Sequence, residues 1–254
     1  MLCKRVIARL DVRSPNLIKT RNLEGVRIVG DPAVYAARYD AEGIDEILFM
    51  DVVASLYGRN NLVDLISYVA RGVFCPLTVG GGVKSVEDAV VLLRSGADKI
   101  ALNTEATKRP KLLTEIAMKL GSQAVVIQID AKKNCGRWEA LCDGGREPTG
   151  RDAVKWAVEA CEMGAGEVLI TSIDREGTRL GFDLDLIGEV SRAVRVPVIA
   201  SGGMGSPQDA VHAISAGADA VSAAHILHYG DHTVSDIKNE MAVENIAVRI
   251  EIPA

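Results

Sequence analysis

No Cys-x-x-Cys pair occurs in this chain, and its five cysteines, Cys3, Cys75, Cys135, Cys142 and Cys161, form an odd and scattered set. That argues against a disulfide framework or a zinc site on paired thiolates and fits a reducing compartment, the cytoplasm. The four histidines show no metal-ligand spacing, so neither a metal nor another cofactor is expected. No apolar run reaches the roughly 18 residues that mark a membrane span. The chain opens on a strand-like run without the apolar core and cleavage site of a signal peptide. With a net charge of −5 there is no basic field for nucleic acid, which leaves a small molecule as the expected substrate. No Ser/His/Asp or Cys/His constellation for nucleophilic catalysis is visible. A G-x-G-x-x-G after the first strand, which a doubly wound open sheet binding a dinucleotide would carry, is missing as well.

What the chain does have is a repeat. Val79-Gly-Gly-Gly-Val-Lys-Ser-Val-Glu-Asp-Ala-Val returns as Ala200-Ser-Gly-Gly-Met-Gly-Ser-Pro-Gln-Asp-Ala-Val, an offset of 121 residues. The same offset carries Gly43-Ile-Asp-Glu-Ile-Leu to Gly164-Ala-Gly-Glu-Val-Leu, and one of 119 carries Val6-Ile-Ala-Arg-Leu-Asp11 to Val125-Val-Ile-Gln-Ile-Asp130. Each half alternates short apolar runs with amphipathic stretches, as βα units around a parallel sheet do. Strands are expected near 5–11, 46–51, 76–79, 98–102, 124–130, 167–171, 197–201 and 219–223. Helices are expected near 31–43, 60–72, 85–95, 108–120, 150–164, 183–194, 206–216 and 233–242, with Ser85 and Ser206 placed to cap two of them. Four strands per half close into one α/β (βα)8 barrel, a TIM barrel spanning residues 1–254 as a single domain with half-barrels of about 1–121 and 122–254.

In such a barrel the chemistry sits where strands end and βα loops begin. Strand one ends in Asp11 and strand five in Asp130, diametrically opposed, which makes them candidates for a general acid/base pair. Gly80-Gly81-Gly82 and Ser201-Gly202-Gly203 end strands three and seven, where glycine lets backbone amides approach a phosphate at a helix N-terminus. Asn103-Thr104 and Ala224-His225 supply the neighbouring loops, so two phosphate sites are expected. Alone, each glycine run could be a tight turn and each aspartate a loop cap; their pairing by the repeat favours function. Strand six ends in Thr171-Ser172, with Glu176-Gly177 beyond. Lys19, in the long first loop, could close over substrate or be a solvated lysine. Arg5, Glu46, Lys99 and Glu167 stand at strand starts and could form an ion-pair ring or a solvated rim. Side-chain alternation puts Arg5, Ile7, Arg9 and Asp11 on one inward face and Gln128 with Asp130 on another.

These residues together resemble the HisF-type cyclase subunit of imidazole glycerol phosphate synthase, the lyase of histidine biosynthesis. The likeness runs through Arg5-Val-Ile-Ala, Leu10-Asp-Val, Val79-Gly-Gly-Gly, Ala97-Asp-Lys-Ile-Ala-Leu-Asn-Thr, Ile129-Asp-Ala-Lys, Leu169-Ile-Thr-Ser-Ile-Asp and Ala200-Ser-Gly-Gly. The resemblance implies that Asp11 and Asp130 are catalytic and that Lys19, Gly81, Gly82, Asn103, Thr104, Thr171, Gly177, Ser201, Gly202, Gly203, Ala224 and His225 bind a bis-phosphorylated ribulosyl-formimino aminoimidazole carboxamide ribotide. It also implies that Arg5, Glu46, Lys99 and Glu167 gate ammonia arriving from a glutaminase subunit on the strand-start face.

Departures from that pattern gather at the site. Arg9 and Gln128 stand where small residues are usual, Gly144 where serine is, Glu176 where aspartate is, and His225 where a phosphate-binding serine is. A cation at Arg9 would hold Asp11 ionised, weakening it as an acid and leaving Asp130 to act as base, and with Gln128 it would narrow the barrel axis. Loop one and the stretch Ser55-Leu-Tyr-Gly-Arg-Asn-Asn61 look more like cyclase paralogues thought to relay ammonia to a sugar amidotransferase in surface-polysaccharide synthesis. That relay is the alternative reading, and a non-catalytic scaffold or phosphosugar isomerase is the second.

Overall fold

The computed structural model describes residues 3–54 and 62–250; the Ser55–Asn61 stretch lies outside them. Twelve strands follow along the described chain: β1 (Arg5–Arg13), β2 (Asn16–Arg21), β3 (Glu24–Gly30), β4 (Glu46–Asp51), β5 (Leu77–Gly80), β6 (Lys99–Leu102), β7 (Val125–Asn134), β8 (Arg137–Cys142), β9 (Glu147–Asp152), β10 (Glu167–Ser172), β11 (Val198–Ser201) and β12 (Ala220–Ala223). Eight of them, β1-β4-β5-β6-β7-β10-β11-β12, pair in parallel in that order, and β12 returns to β1 with Arg5 opposite Ala220. This is the closed (βα)8 barrel expected from the sequence.

Strand alternation produces two cores. Outward-facing Val6, Ala8, Leu10, Ile47, Phe49, Ile127, Ile129 and Ile170 pack against the surrounding helices. Inward-facing Ile7, Leu48, Ala101, Val126, Leu169, Ile199 and Ala220 fill one layer across the barrel. Moving one alternation step toward the strand starts brings Arg5, Glu46, Lys99 and Glu167 inward; one step toward the strand ends brings Arg9, Gln128, Thr171 and Ser201. The barrel is therefore charged at its base, dry in the middle and polar beneath the mouth.

Two local devices join strand to helix at the repeated glycine loops. The Asp88 carboxylate accepts from Lys84 and Ser85 amides, and the Asp209 carboxylate from Gly205 and Ser206, fastening helices Val86–Arg94 and Pro207–Ser215. The turns need glycine. Gly81 and Gly82 have φ of 102° and 72°, and Gly202 and Gly203 of 90° and 109°, a region that costs other L-residues roughly 1–2 kcal/mol.

The sequence pattern does not anticipate four of the strands. β1 and β7 run past the barrel mouth to Arg13 and Asn134, and each continues into an antiparallel hairpin, β2–β3 and β8–β9 respectively. Polar residues interrupt their apolar pattern, and what orders them is pairing with the overhanging strand ends together with burial of Leu17, Ile18, Ala140 and Leu141. Short helices Thr104–Lys108 and His225–His228, also repeat-related, follow β6 and β12. No helix of the described residues is long and apolar enough to cross a membrane.

Candidate active site

The strand-end face opens into a cavity of about 240 Å³. Its floor carries Asp11 and Asp130, each nearly without solvent contact, and its wall carries Gly81, Gly82, Asn103 and Thr104. The first expected phosphate loop and both aspartates therefore share one space. Thr104 also uses its hydroxyl to accept from the Asp143 amide, which ties this wall to the β8–β9 hairpin. Three cations that the sequence pattern did not single out, Arg13, Lys84 and Arg146, also line the cavity. Arg146 sits in the turn between β8 and β9, and nothing local to it signals that this hairpin folds over the mouth. Gly144, in the same turn, has φ of 68° and open space where a Cβ would lie.

The second glycine loop faces a separate recess of about 20 Å³, room for about one water. It is lined by Lys19, Glu176, Gly177, Ser201, Gly202, Gly203, Ala224 and His225, joined by Arg9 and Ser222. The Lys19 ammonium donates to the Glu176 carboxylate, and both side chains are buried. The residue expected to meet substrate is thus paired within the protein, and the Glu176 carboxylate lies against Gly202, where it offers the negative charge an anion would bring. The Ser222 hydroxyl, buried on this recess, has no hydrogen-bond partner. Burial and the neighbouring Arg179 lower the pKa of His225, favouring its neutral form. We predict that Glu176→Gln frees Lys19 and strengthens inorganic phosphate binding here about tenfold, roughly 1.4 kcal/mol. Calorimetric titration of phosphate into both proteins is the check, and identical isotherms would refute it.

Arg9 separates the two spaces and lines both. Its Nε donates to Asp11 Oδ1 at 2.9 Å, and its Nη1 to the hydroxyls of Thr171 and Ser201 at 3.2 and 3.3 Å. Thr171, expected to bind substrate, is fully buried beneath this guanidinium and on neither cavity wall. Burial works against the charge of Arg9, but Asp11, Glu176 and Asp130 outweigh it and raise its pKa. Burial alone would also raise Asp11; Arg9 first, then Lys19, reverse that and hold its carboxyl below the ordinary range. Asp130 accepts from Gln128 Nε2 at 3.0 Å and from Asn103 Nδ2 at 2.8 Å. There burial prevails over Arg9 and Gln128, and its pKa is raised.

Below the dry layer, Arg5, Glu46, Lys99 and Glu167 form a ring in which each charge meets two of opposite sign. Arg5 donates to Glu46 at 2.6 Å and to Glu167, and Lys99 to Glu46 and Glu167 at 2.8 Å each. His228 is a packing residue: Tyr39 Oη lies 2.7 Å from its Nδ1, and burial pushes its pKa down to about 4. Among the described residues no group of three or more His, Cys, Asp or Glu could hold a metal ion.

Comparison with known proteins places these features in context. The profile of the histidine biosynthesis protein family matches residues 5–233. The imidazole glycerol phosphate synthase subunit HisF of Legionella pneumophila is 58% identical over 206 residues, covering 81% of this chain and 97% of its own length. The protein of the same name from Mycobacteroides abscessus is 48% identical over 252 residues, 96% of this chain and 98% of its own.

Proposed function

This chain belongs to the histidine biosynthesis protein family, in its HisF-type cyclase branch, and from that premise we propose that Asp11 and Asp130 are the proton-transfer pair of its active site. The activity is that of the cyclase subunit of imidazole glycerol phosphate synthase. The observation that carries the site assignment is the opposed, buried carboxylate pair at the floor of a cavity that also bears a glycine loop and four cations, Arg9, Arg13, Lys84 and Arg146. Gly81, Gly82, Asn103 and Thr104 hold one phosphate of the substrate. Gly202, Gly203, Ala224 and His225 hold the other once Lys19 leaves Glu176. The reaction condenses ammonia with the ketone of the ribulosyl-formimino substrate, the carbonyl oxygen leaving as water, and ring closure then releases imidazole glycerol phosphate and aminoimidazole carboxamide ribotide in the cytoplasm.

Ammonia is supplied by a glutaminase subunit seated on the strand-start face, where the Arg5–Glu46–Lys99–Glu167 ring closes the barrel base. Ammonia is small and neutral, so the dry layer above the ring suits its passage better than that of ammonium, whose desolvation is costly.

The wild-type protein is expected to turn over the bis-phosphate substrate when supplied with ammonium salts alone. A protein that binds that substrate without product formation would sink this reading. One observation favours a second reading, relay of ammonia to a sugar amidotransferase: Arg9 reaches from β1 across to Thr171 and Ser201, over the dry layer and between the two anion sites. In that case binding without turnover is the expected result.

A further inference from the structure

Arg9 and Gln128 stand 119 residues apart, the same offset that relates Asp11 to Asp130. Each lies two residues before its aspartate on an inward strand face and donates to that aspartate's Oδ1, at 2.9 Å from Arg9 and 3.0 Å from Gln128. The two half-barrels thus build one contact twice, with a cation in one half and a neutral amide in the other. We propose that Arg9 and Gln128 are positioning residues that fix the proton roles of the pair, making Asp11 the base and Asp130 the proton donor. The proposal rests on the reading of Asp11 and Asp130 as the reacting pair.

The surroundings of each carboxylate support the division. Asp11 faces Arg9 on its own strand and Lys19 from β2, while His228, from the helix after β12, is kept neutral by burial. Asp130 faces Arg9 only from across the axis, while Asp11 and Glu176 add like charge toward it. Its direct partners, Gln128 and Asn103, carry no charge. Asp51, Arg13, Lys84 and Arg146 line the same cavity. Coulomb attraction falls with distance, so one guanidinium in contact with Asp11 stabilises that anion more than the remote one. Two buried carboxylates in one site resist a second ionisation, and the one without a cation in contact keeps the proton. The sequence-based expectation that Arg9 would leave Asp130 as base is therefore reversed.

In the ring-closing step, a C–N bond forms from the nitrogen that entered as ammonia, and that nitrogen gives a proton to Asp11. The C–N bond to the departing carboxamide ribotide breaks, and its nitrogen takes a proton from Asp130. One proton is accepted and one supplied, and exchange with solvent resets the pair.

The test is a carboxyl-carbon NMR titration of the full chain carrying 13Cγ-aspartate, without substrate. In wild type, Asp130 is expected to titrate at higher pH than Asp11. Arg9→Gln makes the halves alike, so the Asp11 curve should move up and approach that of Asp130; Arg9→Lys should restore the order. With ammonium as nitrogen source, Arg9→Gln should lower kcat on the order of 10²-fold, with KM nearly unchanged and recovery in Arg9→Lys. Asp130 titrating with or below Asp11 in wild type, or an Asp11 curve unmoved in Arg9→Gln, would overturn the proposal. Should Arg9→Gln fail to fold, Gln128→Lys is expected to pull the Asp130 curve down, and an unmoved curve there is equally fatal. A correct titration order in a protein without cyclase turnover would refute the activity and leave the asymmetry standing.

Discussion

Asp130→Asn is expected to lower ammonium-driven turnover about 10³-fold, the scale of a lost general acid or base, while leaving the barrel as stable as wild type. The asparagine keeps the shape but cannot give up a proton at working pH. Its new amide nitrogen would face one of the two donors, Gln128 at the Oδ1 position or Asn103 at the Oδ2 position. Both are amides that can turn over by half a rotation and present oxygen instead. Asp11→Asn should lose activity to a similar degree and also stability, by about 3 kcal/mol, because the Arg9 guanidinium has no acceptor face to offer and is left buried without its counter-charge. Turnover assays and urea unfolding of the two variants separate chemistry from folding. Retention of more than a tenth of wild-type kcat in Asp130→Asn would remove that residue from the reaction; equal stability of the two variants would mean that Arg9 does not depend on Asp11.

The second large effect belongs to the base of the barrel. Glu46→Gln is expected to cost about 3 kcal/mol, the usual loss when one member of a buried ionic set is neutralised. Glu46 is 2% exposed and accepts from Arg5, Lys99 and the Thr78 hydroxyl. Neutralising it leaves two cations sharing Glu167, with amide hydrogens turned toward one of them. An exposed pair would contribute far less, about 0–1 kcal/mol, so the size of the loss distinguishes an enclosed ring from a solvated rim. Combining Glu46→Gln with Lys99→Met should recover part of it, because residues in one ionic network are not additive. A urea midpoint within error of wild type would identify the ring as surface decoration.

The sequence by itself determined the eight barrel strands, their two faces and the positions of Asp11, Asp130 and the glycine loops. These are local properties: a period of two along each strand sorts Arg5, Ile7, Arg9 and Asp11 inward and Val6, Ala8 and Leu10 outward, and only glycine enters the φ that Gly81 and Gly202 need without strain. The repeat then set the halves opposite one another, since closing four plus four strands leaves β1 and β7 no other relation. Tertiary structure alone decided which side chains touch across the mouth. Arg9 meets residues 162 and 192 positions away, and Lys19 meets Glu176 at 157. No spacing rule reaches that far, because such contacts depend on where a long side chain ends after the barrel has closed. The same holds for Arg146, carried over the cavity by a hairpin that pairs with the overhang of β7 and is tied to the Thr104 wall through the Asp143 amide. Whether the second anion site is open depends on Lys19 pairing with Glu176, a competition between two charges that meet only once the strands have closed.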